Sequence, residues 1–187
     1  MNITLVGPRS VGKSTISKLL ARKLKYRYVE IDALTEVMLK KYGGLDTAIK
    51  AGKIGVVAKK SPKMLSKVLA SEKVLLDLAG GAISSRKYKK ACKENIKIIK
   101  EKSYVIGLLP FKDKEKGVKL LYSRERHRKH FKGMDAKDLY KEVKKDYLKL
   151  VPILKRVSDL VYFVEQKKPE VIAKALAKKA EQITSKS

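Results

Sequence analysis

Gly7-Pro8-Arg9-Ser10-Val11-Gly12-Lys13-Ser14, followed by Thr15, fits the spacing G-x-x-x-x-G-K-[ST], a pattern whose chemistry is the grip of a polyphosphate. The glycines let the main chain wrap close to phosphate oxygens, successive N–H groups point inward, and a helix starting here adds positive potential at its N-terminus. Lys13 is expected to contact the β- and γ-phosphates, and the Ser14 hydroxyl to hold magnesium. Such a loop needs a strand before it and a helix after it. Both are present: the apolar run Asn2 to Val6 precedes it, and Ile16, Leu19, Leu20 and Leu24 follow at helical spacing.

Carboxylates stand at two other strand ends. Leu75-Leu76-Asp77-Leu78-Ala79-Gly80 places Asp77 where a second magnesium-holding group is expected, although an aspartate there can also simply cap the next turn. Gly80 and Gly81 let backbone N–H groups approach a ligand without side-chain obstruction. In Glu30-Ile31-Asp32, strand alternation puts both carboxylates on one side. Asp32 there can orient or deprotonate an acceptor hydroxyl, cap a helix beginning at Ala33, or do both.

The elements that must position these groups alternate. Asn2 to Val6, Arg27 to Ile31, Val74 to Leu78, Tyr104 to Leu108 and Asp159 to Val164 read as strands. Helical patterns lie between them, including Asp32 to Lys41 and Pro62 to Ser71, with turns at Tyr42-Gly43-Gly44 and Ala51-Gly52. Ile172, Ala175, Leu176 and Ile183 mark a closing helix. The expected fold is α/β, a parallel sheet covered by helices on both faces. Phe111 to Met134 differs: its second half carries Arg124, Arg126 and Arg128 with almost no apolar face. Its charges read as exposed, either on a solvated helix or on a lid whose arginines meet phosphate on closing.

A chain of 187 residues suits one domain, here 1–187 with the lid at about 111–134 inserted. No apolar run is long enough to cross a bilayer, and no secretory leader is read. Cys92 is the single cysteine and there are two histidines, which excludes an internal disulfide and the usual closed zinc site. A cytoplasmic monomer is expected. The 46 Lys and Arg against 19 Asp and Glu leave +27, enough to attract polyanions, nucleic acid included. The lysines are spread over most predicted helices rather than gathered in one block, so the motifs carry more functional information than the charge.

In order and spacing, the loop Gly7 to Thr15, the pair Glu30 and Asp32, the strand-turn Val74 to Gly81, the basic segment and the closing helix resemble the shikimate kinase family. That family belongs to the small P-loop kinases, which include nucleotide and gluconate kinases. The resemblance implies a P-loop NTPase three-layer α/β/α sandwich with a five-stranded parallel sheet and a helical lid over ATP. It implies that Asp32 holds or activates the acceptor, that Gly80 and Gly81 touch it, and that Pro169 lies near the adenine. Arg124 then joins Gly7 to Thr15 in binding nucleotide, and Arg128 is the catalytic lid arginine. The pattern departs where the family's substrate arginines fall on Ala58 and Leu150. Lys59 and Lys60 follow Ala58 as replacements, without the bidentate fork that arginine offers a carboxylate. The family's Asp-x-Asp is here Glu30-x-Asp32, and its three-glycine turn is Ala79-Gly80-Gly81.

Three activities are compatible with these residues. The first is a kinase of the shikimate kinase type using ATP and Mg2+. The second keeps that site and gives the acceptor pocket to a nucleoside monophosphate or sugar acid. The third is a nucleic-acid-binding P-loop ATPase, against which stands the lack of a recognition module or aromatic stacking stripe. Substrate screening separates the first two, and salt-dependent stimulation by nucleic acid marks the third.

Overall fold

A computed structural model describes residues 1–40, 54–127 and 133–185, together with Gly43 and Thr47. Five strands, β1 (Ile3–Gly7), β2 (Arg27–Glu30), β3 (Val74–Ala79), β4 (Tyr104–Leu109) and β5 (Leu160–Phe163), form one sheet in the order β2-β3-β1-β4-β5. Every pairing is parallel. Parallel sheets are buried on both faces, so their central strands read as continuous apolar runs. Ile3, Leu5 and Val6 of β1 and Val74, Leu75 and Leu76 of β3 are accordingly buried.

The described helices are α1 (Lys13–Leu24), α2 (Ile31–Leu39), α3 (Ile54–Val68), α4 (Gly81–Ser84), α5 (Lys89–Lys102), α6 (Lys114–Glu125), α7 (Ala136–Val157) and α8 (Pro169–Thr184). They flank the sheet, with α1 packed on α8, α3 on α5 and α6 on α7. In α7, Leu139, Tyr147, Leu150, Val151, Leu154 and Val157 are buried, the one-sided spacing that places a helix against a core. Asp113 caps α6 by accepting from Lys116 N, and Asp135 caps α7 by accepting from Lys137 N. Asn2 joins three elements: Nδ2 donates to the Leu69 and Lys102 carbonyls, and Oδ1 accepts from Val74 N.

Three expectations are corrected. The helix expected from Pro62 to Ser71 runs instead over Ile54–Val68, with Pro62 inside it. Proline there reads as a helix start because it removes an interior hydrogen bond. Burial of Pro62, Leu65 and Leu69 offsets that loss. Second, β2 ends at Glu30 and α2 begins at Ile31, so Glu30 and Asp32 do not share one face of a strand. Third, the charges from Phe111 to Met134 are not uniformly exposed: Val118 and Leu121 of α6 are in the core, and Glu125 is 2% exposed. Of the expected turns, Gly43 has φ 81°, while Tyr42, Gly44, Ala51 and Gly52 lie outside the described residues. No described helix is long and apolar enough to cross a membrane.

Candidate active site

The chain leaves the centre of the sheet at Gly7 and enters α1 at Lys13, with Gly12 as N-cap at φ 97°. An L side chain rarely adopts that angle, so glycine is required where the loop turns into the helix. Ile16 N donates to the Gly12 carbonyl at 3.1 Å. The first N–H groups of α1, beginning at Lys13, Ser14 and Thr15, are thereby left for a ligand, the arrangement that binds phosphate at a helix start.

Lys13 Nζ lies 2.5 Å from Asp77 Oδ1, their side chains 12% and 2% exposed. The β1–β3 register explains the meeting, since Gly7 pairs with Ala79 and Asp77 therefore lies two positions before the level of the loop. On its other side Asp77 is in register with Glu30 of β2. Like charges directly opposed on neighbouring strands repel. Tyr28 answers that repulsion: its hydroxyl lies 3.1 Å from Glu30 Oε2 and 3.3 Å from Asp77 Oδ2. Burial, then the charges of Asp77 and Glu30, push the Tyr28 phenol far above its ordinary range. It therefore remains a hydrogen-bond donor.

Asp32 sits in the first turn of α2, and the N-cap position belongs to Glu30. Its side chain reaches solvent but is ringed by protein at the crevice. Desolvation raises its pKa first of all; Lys13 opposes the shift, Asp77 and Glu30 add to it, and Arg9 opposes it. Asp32 thus belongs to one electrostatic cluster with Lys13, Asp77 and Glu30, although it reaches that cluster from a helix.

The other rim is built from Ser10, a non-glycine residue at φ 61°. Arg124 Nη1 donates to the Ser10 carbonyl at 3.0 Å, and Ser10 Oγ donates to Glu125 Oε1. Arg9 Nη1 stands 3.7 Å from Glu125 Oε2. The end of α6 is therefore fastened to the phosphate loop through the carbonyl and the hydroxyl of Ser10. Pro8 and Val11 are buried in the loop, and Arg9 is exposed.

Gly80, the N-cap of α4, is packed too closely for a side chain: a Cβ there would lie 2.6 Å from Leu150 Cδ2 and 3.0 Å from the Gly7 carbonyl oxygen. At Gly81 a Cβ would meet nothing within 4 Å. Gly80 thus touches the phosphate loop, and Gly81 faces open space beside it. Lys59 and Lys60 are exposed on α3, Ala58 is half-buried, and Pro169 is the first residue of α8. Arg128 lies outside the described residues. A surface hollow of about 350 Å³ lined by Phe111, Lys116, Lys119, Leu120, Ser123 and Gln166 flanks α6 and contains none of the phosphate loop.

The donors suit magnesium better than a softer metal, being the Ser14 hydroxyl and the buried Asp77 carboxylate. Among the described residues no group of three or more acidic, histidine or cysteine side chains forms a metal cage. Magnesium is commonly bound by one or two carboxylates and completed by water and substrate phosphates. Sequence reasoning missed Tyr28 and Glu125. Tyr28 carries a readable signal, its i, i+2 relation to Glu30; Glu125 has none, lying in a polar run.

Comparison with known proteins follows the same geometry. The family model for shikimate kinase matches residues 9–181. A shikimate kinase of Hahella chejuensis (strain KCTC 2396) is 24% identical over 180 residues, which cover 95% of this chain and 84% of that protein. Among solved structures, the shikimate kinase from Acinetobacter baumannii in complex with shikimate superposes with a TM-score of 0.73 at 20% identity, covering 100% of this chain and 94% of that one. The Bacteroides thetaiotaomicron shikimate kinase gives 0.75 at 19% identity, covering 97% and 98%.

Proposed function

The chain belongs to the shikimate kinase family, and from that premise we propose that it transfers the γ-phosphoryl group of magnesium-bound ATP to a hydroxyl of a small shikimate-type hydroxy acid. It is an ATP-dependent small-molecule kinase; the acceptor and the residue roles are the proposal. The observation that carries the phosphoryl-transfer reading is the contact of Lys13 Nζ with Asp77 Oδ1 at 2.5 Å. It supports reading Lys13 as the cation for the transferring phosphoryl group and Asp77 as the carboxylate for the metal.

On ATP binding, Lys13 exchanges Asp77 for the β- and γ-phosphate oxygens, and the N–H groups from Gly7 to Thr15 hold the remaining phosphate charge. Ser14 and Asp77 would hold magnesium, which would supply neutralisation of the phosphate charge. Asp32 orients the acceptor hydroxyl and takes its proton, and its raised pKa suits a group that must accept one. Gly80 and Gly81 line the acceptor side, where Lys59 meets the acceptor's carboxylate in place of the arginine absent at Ala58. Arg124 and Pro169 are assigned to the nucleotide, and Arg128, which lies outside the described residues, to the transferring phosphoryl group.

Leu150 favours a second reading. It is 4% exposed and presses on Gly80, an apolar wall at the place of the family's second substrate arginine. A sugar acid or nucleoside monophosphate gripped elsewhere fits that wall equally well. A coupled assay of ADP release with ATP and magnesium, run on shikimate, gluconate and nucleoside monophosphates against no-acceptor blanks, decides. Turnover with shikimate is expected. Turnover with another acceptor alone reassigns the pocket, and none with any of them overturns the proposal.

A further inference from the structure

Tyr28 lies on β2, an edge strand of the sheet, two residues before Glu30 and therefore on the same face. Glu30 is paired in register with Asp77. The two carboxylates face one another, and only Asp77 has the Lys13 amine as an immediate ion-pair partner. The single Tyr28 hydroxyl is within hydrogen-bonding distance of both, 3.1 Å from Glu30 Oε2 and 3.3 Å from Asp77 Oδ2. The two Asp77 oxygens thus have different partners, Oδ1 facing Lys13 and Oδ2 facing Tyr28. The Tyr28 ring is itself held, half-buried against the core, with Lys18 Nζ 5.7 Å from its centroid.

We propose that Tyr28 is a positioning residue for the metal side of the phosphoryl-transfer site: its hydroxyl holds the Asp77 carboxylate in place, and spaced from Glu30, when Lys13 leaves for the nucleotide. The inference rests on the reading of Asp77 as a magnesium ligand given above. The physical need is specific. Once Lys13 turns to the phosphates, Asp77 loses that ion-pair partner while still opposed by Glu30, and its carboxylate is free to swing from the metal position unless another donor fixes it. Tyr28 is that donor. A phenylalanine preserves the ring and its packing and removes only this function.

The test is the coupling between magnesium and nucleotide, measured by titration calorimetry on the full chain with the non-hydrolysable analogue AMP-PNP. The readout is the ratio of its dissociation constants without and with magnesium. In the wild type that ratio exceeds one. In Tyr28→Phe it is expected to fall about tenfold, the scale of one hydrogen bond to a charged group. The metal-free dissociation constant and the melting temperature stay close to wild type, and the magnesium concentration for half-maximal turnover rises by a similar factor. An unchanged ratio in Tyr28→Phe overturns the proposal and leaves the kinase reading intact. A drop in melting temperature with an unchanged ratio overturns it too, making the residue a packing element. A wild-type ratio of one overturns the magnesium role of Asp77, and this inference with it. Tyr28→Leu, which also removes the ring, serves as the packing control.

Discussion

Leu150 closes on Gly80 so tightly that a methyl group added to the glycine would lie 2.6 Å from Leu150 Cδ2. Gly80→Ala is therefore expected to destabilise the protein by about 1–3 kcal/mol, the usual cost of overpacking. Gly81→Ala has open space around its new methyl group and should leave the melting temperature unchanged while weakening acceptor binding. Adding Leu150→Ala to Gly80→Ala should recover only part of the stability, because the Gly7 carbonyl oxygen remains 3.0 Å from the new Cβ. Full recovery in thermal denaturation would mean that the backbone contact imposes no constraint.

Lys13→Ala removes the phosphate-binding amine and leaves Asp77, 2% exposed, without its cation. Phosphoryl transfer should fall by at least about a hundredfold, the scale of one missing transition-state donor. Stability should fall on the order of 3 kcal/mol, the cost of breaking a buried pair. The double variant Lys13→Ala with Asp77→Asn should regain much of the stability and none of the turnover. Denaturant titration beside the ADP-release assay separates the two effects.

Glu125 accepts from Ser10 Oγ and stands near Arg9, which makes it a support for the loop at an angle serine seldom adopts. Glu125→Ala should raise the KM for ATP severalfold and lower stability by about 2 kcal/mol, because buried polar partners lose their bond. Glu125→Gln keeps an acceptor for Ser10 and should be milder on both counts. Equal effects of the two variants on KM would show that the negative charge, and not the hydrogen bond, supports the loop.

Cys92 is 7% exposed, with Sγ 3.9 Å from the Gly81 carbonyl and 3.7 Å from that of Ser85. Burial pushes its thiol above the ordinary range, against smaller opposing effects of the Ser85 hydrogen bond and the Lys149 charge. Native protein at pH 8 should react with a disulfide reagent at least about tenfold more slowly than unfolded protein, since the thiolate is the nucleophile. The linkage has a definite sign. A proton held more tightly in the fold contributes stability that is complete below the unfolded pKa and disappears as pH rises through the folded one. Alkaline loss of stability should therefore be smaller in Cys92→Ala.

Much of this arrangement is legible in the sequence. The phosphate loop has fixed spacing, and the β1 and β3 strands are apolar runs that only a doubly covered parallel sheet explains. Asp77 was legible as a metal ligand candidate because it ends such a run. The position of Asp32 was less so, since a one-residue shift at the end of β2 moves it from strand to helix. Pro62 misled because its missing N–H suits a helix start, whereas here burial of its neighbours tolerates it mid-helix. Glu125 was hidden most completely: its partner Ser10 is 115 positions away, and Arg124-Glu125-Arg126 reads as a solvated surface. Local pattern reports which way a chain turns, but the burial of a charged group is decided by what folds over it.

In the proposed reaction the phosphate grip comes from the loop after β1, from α1 and from Asp77 on β3, whereas the wall against Gly80 comes from Leu150 on α7 and Lys59 stands on α3. On that proposal, the contacts that select an acceptor and those that grip the nucleotide's phosphates lie on separate parts of the chain. A change of acceptor then calls for altered residues on the outer helices alone, with the loop between β1 and α1 left as it is.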